Sequence, residues 1–379
     1  MIKRICNLQD HLEGSAFLFG ARQTGKSTYL EQEFRDAIYL DLLDSRLKAR
    51  LQSHPEQLFA MLQDKSEGTI VVIDEIPEVP ELLNEVHRLI QKKNLRFVLC
   101  GSSARKLKRK GYNTLGGRAR PWYFYPFVSA ELEDLDLDKA LLYGLIPPHY
   151  LSKHPENLLP GYIDVYLKEE IKEEAIVRHL GNFQHFLEAA ALTSGEMVNY
   201  TNIASDCEVS ANTVKAYFEI LEDTLIGYMI PAYTKTLKRK VSQAPKFYYF
   251  DVGVYNYLLH RTSLSPASPE YGHCFEHFIM QELKAYLGYT HSDKQLSYWH
   301  TYDGAEIDAV IGEAEIGIEI KSAELIQSKH LKNFKPFRSE YPECRCIVVS
   351  RDFISRSENG INLLYYADFL RQLWAGEII

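Results

Sequence analysis

The segment Phe19–Thr28 constrains this chain more than any other, because it fits the pattern GxxxxGK[ST] of a phosphate-binding loop. It follows the apolar run Ser15–Phe19 and precedes the helix-forming run Tyr29–Phe34, which is the strand–loop–helix context that the pattern requires. Gly20 and Gly25 allow backbone amides to turn toward phosphate oxygens, and the start of a helix adds donors and a positive dipole end. A chance Gly-Lys-Ser turn would lack this context.

The residue types of this loop predict a triphosphate ligand with magnesium. Lys26 is expected to reach the β- and γ-phosphates, and the Ser27 hydroxyl is expected to ligate Mg²⁺. The nucleotide would be held by the whole loop, which consists of Gly20, Ala21, Arg22, Gln23, Thr24, Gly25, Lys26, Ser27 and Thr28. ATP and Mg²⁺ are therefore the expected ligands.

Four later apolar runs have strand character, and helical stretches separate them. They cover residues 37–42, 69–75, 95–103 and 122–127. This alternation predicts an α/β domain with a parallel sheet. Asp74 and Glu75 close the second run, and the carboxyl ends of parallel strands face the ligand crevice. Asp74 is therefore predicted to hold magnesium, through water, and Glu75 to polarise the attacking water.

Two further positions are candidates for contact with the γ-phosphate. Ser102, or its neighbour Ser103, follows the strand run that ends at Gly101. Arg118 follows a pair of glycines, and two interpretations stay open for it. It would either reach the terminal phosphate of its own chain or pair with an acid on the surface.

Length and charge limit the possible classes of protein. The 379 residues suffice for two or three domains, and a net charge of −8 argues against a protein that coats nucleic acid with its whole surface. No apolar run reaches the roughly 18 to 20 residues of a membrane span, and the N-terminal residues lack the apolar core of a secretion signal. A cytoplasmic protein without a membrane partner is expected. The six cysteines are scattered, which predicts reduced core thiols and no zinc site.

The middle of the chain is predicted to begin with a helical lid or linker and to continue as a helix-turn-helix with a β-wing. The second helix of that motif follows Ser210, and its apolar face consists of Val214, Tyr217, Phe218 and Leu221. The outward face carries Lys215 together with Glu219, Glu222 and Asp223, and phosphates would repel the acids. The helix is therefore interpreted as a packing element and not as a reader of bases.

Two basic runs could contact a nucleic-acid backbone locally. The first contains Arg105, Lys106, Lys108, Arg109 and Lys110, and the second, in the wing, contains Lys235, Lys238, Arg239, Lys240 and Lys246. A solvated surface is the plainer interpretation of the first run, but DNA is the natural partner of a concentrated positive patch. A protein partner or self-association stays open as well.

A hairpin is predicted near the C-terminus, with strands 306–311 and 316–321 around a turn. A symmetric register would place Asp308 opposite Glu319 and Glu306 opposite Lys321, with all four side chains on one face. Glu276, in the preceding helix, adds a further acid.

Facing carboxylates beside a lysine predict a second Mg²⁺ or Mn²⁺ site that orients a water for phosphodiester cleavage. Glu276, Asp308 and Glu319 would be its ligands, with Lys321 catalytic. The alternative is a set of structural ion pairs in which Glu306 with Lys321 is foremost.

Together these motifs make the sequence similar to bacterial and archaeal AAA-type ATPases that join a phosphate-loop domain to a C-terminal domain of uncharacterised function. The resemblance extends over nearly the whole chain. It rests on residues 20–28, 73–75, 101–103, 115–118, 245–253, 306–308 and 319–321. The C-terminal motif resembles PD-(D/E)XK nucleases, whose metal and catalytic positions would correspond to Glu276, Asp308, Glu319 and Lys321. The usual Pro-Asp opening is absent, and Glu306-Ile307 precedes Asp308 instead.

The resemblance implies four parts: an AAA-type α/β phosphate-loop NTPase domain (1–130), a helical lid or linker (131–195), a winged-helix-like region (196–262) and a nuclease-like α/β domain (263–379). It implies ATP hydrolysis, for which Lys26, Glu75, Ser102 and Arg118 are the catalytic candidates. Two functions stay open. One is an ATPase whose nucleotide state moves a nuclease-like domain that acts on DNA. The other is a nucleotide-gated switch that recruits a protein partner and has an inactive nuclease fold.

Overall fold

The computed structural model describes residues 2–102, 115–163, 180–234 and 244–379. These residues form two compact units. The first comprises Lys3–Pro126 with Asp223–Ile226, and the second comprises Phe127–Glu222 with Gly227–Ile379. The finer division into four parts stays a prediction.

The first unit is built around a parallel sheet. Its described strands are β1 (Ser15–Phe19), β2 (Ile38–Asp41), β3 (Ile70–Asp74), β4 (Arg96–Gly101) and β5 (Ala119–Tyr123), in the spatial order β2-β3-β4-β1-β5. The helices are α1 (Lys26–Glu33), α2 (Ser45–Ser53), α3 (Gln57–Leu62) and α4 (Leu82–Lys93), with 3₁₀ turns at Ile76–Glu78 and Leu115–Gly117. The interior strand β3 is almost fully buried, as expected for a parallel strand covered on both faces.

The alternation of strands and helices predicted from the sequence is confirmed, with a shift in the fifth strand. That strand begins at Ala119 and not at Trp122, so it includes Arg120 and Pro121. Both residues are exposed. An edge strand tolerates a proline and a charged side chain because one side of its backbone needs no ladder partner. The apolar run therefore marked the end of this strand and the loop after it.

The second unit begins with helices. They are α5 (Leu137–Tyr143), α6 (Pro147–Leu151), α7 (Leu159–Gly161), α8 (Leu180–Leu192), α9 (Tyr200–Asp206) and α10 (Ala211–Asp223), with 3₁₀ turns at Ser129–Glu131 and Pro155–Asn157. The antiparallel hairpin of β6 (Gly227–Ile230) and β7 (Lys246–Tyr249) follows. The two helices of the predicted helix-turn-helix are present as α9 and α10. Ser210 Oγ accepts the N–H of Thr213 at 3.1 Å at the start of α10, and the predicted apolar face of α10 is buried.

The rest of the second unit contains a mixed sheet together with helices. In chain order, the elements of this part are α11 (Val252–Leu258), α12 (Pro269–Tyr289), β8 (Leu296–His300), β9 (Glu306–Ile311), β10 (Ile316–Lys321), a 3₁₀ turn (Ser328–Leu331), α13 (Phe334–Glu340), β11 (Arg345–Ser350), β12 (Arg356–Glu358), β13 (Ile361–Tyr365) and α14 (Tyr366–Trp374). The described strands lie in the order β12-β13-β11-β10-β9-β8. The hairpin register Ile316↔Ile311 is the predicted one, and its continuation sets Asp308 opposite Glu319.

Several predictions fall outside the described residues. These are Ser103, the first basic run (Arg105, Lys106, Lys108, Arg109, Lys110), and the wing residues Lys235, Lys238, Arg239 and Lys240. Residues 164–179 of the predicted helical lid or linker lie outside them as well. All six cysteines are described, each is buried, and none of them forms a disulfide bond. In the described parts of the chain, no helix combines the length and the apolar character that crossing a bilayer requires.

Candidate functional site

The phosphate loop leaves the end of β1 and leads directly into α1. Gly20 lies against the backbone of Phe124, and a Cβ atom at Gly20 would be 2.4 Å from the carbonyl oxygen of Phe124. Gly25 has φ +95°, a left-handed conformation, and forms the N-cap of α1. Glycine is therefore required at both positions, once for space and once for conformation. This is the cradle that a phosphate group would enter.

The side chain of Lys26 is turned into the loop. It is buried, and its Nζ donates to the carbonyl oxygens of Gly20 at 2.7 Å and of Ala21 at 3.1 Å. Thr24 Oγ1 donates to the same carbonyl of Ala21 at 2.8 Å. The lysine is thus already directed inward, and phosphate oxygens would be stronger acceptors for it than neutral carbonyls.

Arg4 braces this loop, and no sequence pattern indicated it. Its Nη1 donates to the carbonyl of Thr24 at 2.6 Å, and its Nη2 donates to the carbonyl of Tyr125 at 2.8 Å. Its guanidinium also lies over the ring of Phe124, 4.2 Å from the centroid. The acceptors are 20 and 121 positions away in sequence, so no local pattern could have revealed the contact.

Asp74 ends β3 at the same edge of the sheet as the phosphate loop. Its carboxylate is buried, Oδ2 accepts the hydroxyl of Tyr39 at 2.7 Å, and Oδ1 accepts the N–H of Glu75 at 3.1 Å. Burial and the bond to Asp74 raise the pKa of Tyr39 above its usual range, so the phenol stays a donor. The orientation of Asp74 is therefore fixed before any ligand arrives.

Glu75 follows in a left-handed conformation, with φ 55°. A side chain in this region is uncommon outside glycine and asparagine, and such strain is concentrated at functional sites. The turn directs the chain away from the strand immediately after Asp74, where the 3₁₀ turn Ile76–Glu78 begins. The two acids thus lie at the strand end that the sequence predicted.

The structure separates the two candidates for γ-phosphate contact. Gly101 pairs with Phe19, so Ser102, which is buried, lies at the edge of the sheet that carries the phosphate loop. Arg118 lies at the opposite edge, because Ala119 pairs with Ser15 at the start of β1. The prediction that Arg118 reaches the phosphate of its own chain is therefore wrong. Its exposed side chain instead contacts the carbonyl of Leu115.

The second unit contains a cluster that we call the carboxylate–lysine centre. Its members come from α12, β7, β9 and β10 and are Glu276, Lys246, Glu306, Asp308, Glu319 and Lys321. Residues two apart on a strand share a face, so β9 and β10 each contribute two members to one side of the sheet. The predicted grouping of Glu276 with the hairpin side chains is supported by the charge of Asp308, which raises the pKa of Glu276.

Lys321 is the hub of the hairpin contacts. Its Nζ lies 2.8 Å from Glu319 Oε1 and 3.4 Å from Asp308 Oδ2. Asp308 Oδ2 also accepts the N–H of Ile320 at 2.6 Å. The carboxylate thus replaces a backbone carbonyl as the acceptor at the point where the pairing of β9 with β10 ends. Asn333 Nδ2 donates to Glu319 Oε1 at 3.2 Å, whereas the buried Glu319 Oε2 has no hydrogen-bond partner among the described residues.

The predicted ion pair of Glu306 with Lys321 is wrong. Glu306 pairs with Lys246, which the sequence placed in the basic wing. Lys246 is only 3% exposed and its Nζ lies 5.2 Å from the ring centroid of Tyr298, so it is not a surface residue. Tyr248, two positions along the same strand, donates its hydroxyl to Glu276 Oε1 at 2.6 Å. Both contacts bridge 28 or more positions and could not be read from spacing.

Burial dominates the electrostatics of the centre. Together with the charge of Asp308, it raises the pKa of Glu276 to about 7 and that of Glu319 to about 8. Burial by itself would lower the pKa of Lys321, but Asp308 and Glu319 outweigh it and raise that pKa. The charge of Asp308 therefore contributes to raising the pKa values of Glu276, Lys246 and Lys321.

The two centres differ in how well they fit the ligands predicted for them. The phosphate loop offers an inward lysine, a cradle that a Cβ would fill and an oriented carboxylate, and these fit a nucleotide with Mg²⁺. In the carboxylate–lysine centre the unpartnered Glu319 Oε2 favours a cation, but the ammonium of Lys321 lies between Asp308 and Glu319. Within the described ranges, no three His, Cys, Asp or Glu side chains are grouped as a metal site.

Comparison with known protein families finds a match for most of the first unit. Residues 13–133 match the family model described as an AAA domain. This match spans the phosphate loop and the parallel sheet of the first unit. Residues 134–265 match a domain of unknown function (DUF8612), and residues 271–369 match another (DUF4143). No curated protein matches the chain.

Two solved structures are similar to the chain over long stretches. One is the Orc1 protein of Aeropyrum pernix in complex with DNA, with 15% identity over 65% of this chain and 86% of that chain, and a TM-score of 0.27. The other is a signal-transduction ATPase (STAND) protein with a tetratricopeptide repeat sensor from Pyrococcus horikoshii, with 14% identity and a TM-score of 0.22. The match covers 76% of this chain and 47% of the STAND chain.

Proposed function

We propose that the protein binds ATP at residues 20–28 and hydrolyses it with Mg²⁺, and that the nucleotide state is coupled to the C-terminal domain. The observation that carries the proposal is the inward side chain of Lys26 within a glycine loop, at the same sheet edge as Asp74 and Glu75. An AAA domain with this arrangement has what phosphoryl transfer needs, since its catalysis is mainly positioning and electrostatic stabilisation.

Each residue has a separate role in this proposal. The loop amides and Lys26 bind the phosphates, and Ser27 with Asp74 would hold Mg²⁺, which neutralises charge on the transferred group. Glu75 would orient and polarise the water. Ser102, which follows Gly101 at the strand end paired with Phe19, would contact the terminal phosphate. Tyr39 fixes the carboxylate of Asp74 through the hydroxyl contact described above.

Calorimetric titration of the full chain with ATP and Mg²⁺ tests the binding step. We expect saturable heat for the native chain and for Lys92→Ala, whose exposed side chain lies in α4, and no heat for Lys26→Ala. Thermal unfolding of both variants shows whether the fold is retained. Equal ATP affinity of the native chain and a folded Lys26→Ala variant would refute the assignment of the loop.

For the C-terminal domain we propose a nuclease-like centre. Glu276, Asp308 and Glu319 would hold Mg²⁺ or Mn²⁺, and Lys321 would stabilise charge on the scissile phosphate. The unpartnered Glu319 Oε2 supports this proposal, and so does the hairpin register, which sets Asp308 opposite Glu319. Incubation with plasmid DNA and Mn²⁺ tests it. Nicking should be lost in Asp308→Asn, which retains an acceptor for the N–H of Ile320. Equal nicking by both proteins would exclude cleavage at this centre.

A second candidate function is a nucleotide-gated switch that recruits a protein partner through an inactive nuclease fold. The ammonium group between Asp308 and Glu319 favours it, because those oxygens are already engaged. Under this alternative neither basic run contributes to function. A DNA affinity that falls with salt, and falls further on charge reversal of Lys106 and Lys108, would count against the switch.

A further inference from the structure

The position of Lys246 is not explained by any motif of the C-terminal domain. It lies on β7, opposite Ile230 in the hairpin, and not on the strands that carry Asp308 and Glu319. A lysine is rarely buried unless it is paired. Here the ammonium is ion-paired with Glu306 and lies near the ring of Tyr298, whose hydroxyl donates to the carbonyl of Ala244 at 2.5 Å. The side chain is therefore held in a fixed place.

The hairpin presents more than one side chain to the centre. Lys246 and Tyr248 are two apart on β7 and contact Glu306 and Glu276, respectively. The hairpin is anchored at this point, since the N–H of Val198 donates to the carbonyl of Pro245 at 2.8 Å. The centre is thus formed by two different sheets and a helix, and one of its two ammonium groups belongs to the hairpin.

Lys321 engages carboxylate oxygens that a divalent ion would need, because it contacts Asp308 and Glu319. Lys246 contacts Glu306, which lies on the same face of β9 as Asp308. A cation that enters a partly buried cluster is repelled by each ammonium already there. Of the two, Lys246 can be removed without altering the residues of the nuclease-like motif.

We propose that Lys246 is an internal counter-cation that restricts divalent metal binding at the carboxylate–lysine centre. This inference rests on the proposed metal-dependent function of that centre and adds its regulation. The ion pair with Glu306 holds the ammonium in the cluster, and any event that withdraws Lys246 from Glu306 would raise metal affinity. The β6–β7 hairpin, which carries Lys246, is the element through which such an event would act.

Titration of the nucleotide-free full chain with Mn²⁺, followed by calorimetry, tests the proposal. The part of the signal that Asp308→Asn removes is assigned to the centre. We expect Lys246→Met to bind Mn²⁺ there at least about tenfold more tightly than the native chain, the effect of removing one nearby like charge. The double variant Lys246→Met/Glu306→Gln removes a cation and an anion together, so its affinity should return close to the native value. Thermal unfolding confirms that each variant is folded.

The possible results separate this inference from the proposed function. Equal Asp308-dependent affinity in the native chain and in Lys246→Met would overturn the role of Lys246 and leave the metal centre standing. A double variant as tight as the single one would overturn the charge explanation. If no protein shows Asp308-dependent binding, both the inference and metal-dependent cleavage fail, whereas ATP binding at the phosphate loop is unaffected.

Discussion

The hydroxyl of Tyr39 donates to Asp74 Oδ2 at 2.7 Å, across neighbouring parallel strands. A carboxylate that must orient a hydrated magnesium ion is only useful if its own rotamer is fixed, and outer contacts of this kind commonly decide the activity of metal sites. The second oxygen of Asp74 is held by the N–H of Glu75. Both carboxylate oxygens of Asp74 are thus held by donors that lie outside the phosphate loop.

Removal of the Tyr39 hydroxyl should loosen Asp74 without disturbing the fold. We expect Tyr39→Phe to need about tenfold more Mg²⁺ for half-maximal ATP turnover, a typical effect of losing an outer-shell contact. Nucleotide affinity measured without Mg²⁺ should stay unchanged, since the loop is intact. Turnover measured over a Mg²⁺ series checks this, and an unchanged series would mean that Tyr39 does not position Asp74.

Two glycines near the sheet provide a matched test of the loop packing. A methyl group at Gly20 would meet the carbonyl oxygen of Phe124 at 2.4 Å, whereas at Gly14 its nearest neighbour is 3.9 Å away. We expect Gly20→Ala to lower the free energy of unfolding by about 2 kcal/mol and to abolish ATP binding, because backbone cannot yield easily. Gly14→Ala should behave like the native chain. Urea unfolding and ATP titration of both variants provide the comparison.

Substitutions of Glu75 and of Arg118 should have very different effects on the rate of ATP hydrolysis. Glu75→Gln is expected to slow hydrolysis about 100-fold or more while ATP still binds, as for the loss of a residue that polarises water. Arg118→Ala should stay within about twofold of the native rate, since a side chain at the other end of β1, about 13 Å of strand away, does not stabilise the transition state. A large loss in Arg118→Ala would indicate that this arginine acts on a neighbouring copy of the chain.

His277 should make the protein sensitive to acid. Its Nε2–H donates to the carbonyl of Tyr249 at 2.6 Å, and burial lowers the pKa of its imidazole from 6.5 to about 4. The unfolded chain therefore binds a proton more readily, so stability present above pH 6.5 is lost as the pH falls toward 4. His277→Gln retains the donor and does not titrate. At pH 4.5 it should lose about 2 kcal/mol less than the native chain, relative to pH 7.5. Urea titrations at both values measure this, and parallel losses would contradict it.

The phosphate loop could be predicted because its parts are contiguous. All of them lie within residues 15–34, including the flanking strand and helix. A conformation that depends on residues close in sequence can be recognised from a short sequence motif. The hairpin register followed for the same reason, since a period of two and a short turn determine which residues face each other. The alternation of side chains along the two strands is therefore enough to place Asp308 opposite Glu319.

Other contacts could not be predicted from local patterns. Arg118 follows a pair of glycines in sequence, as a residue that contacts phosphate could. The parallel pairing of β5 with β1, however, places it near the start of β1, whereas the phosphate loop follows the end of β1. Lys246 looked like one of several exposed wing lysines until the fold placed it on Glu306, 60 positions away. Charge and composition do not distinguish a solvated lysine from a buried one, because burial is a property of the assembled chain.

The sequence by itself determined that a phosphate loop follows the first strand, that strands and helices alternate around it, and that two acids and a lysine meet on one hairpin. The tertiary structure alone decided which partners these groups have: Tyr39 for Asp74, Arg4 for the loop, and Lys246 for Glu306. The reason is physical. Local conformation depends on residues a few positions apart, whereas ion pairs and burial depend on which distant segments the packed core brings together.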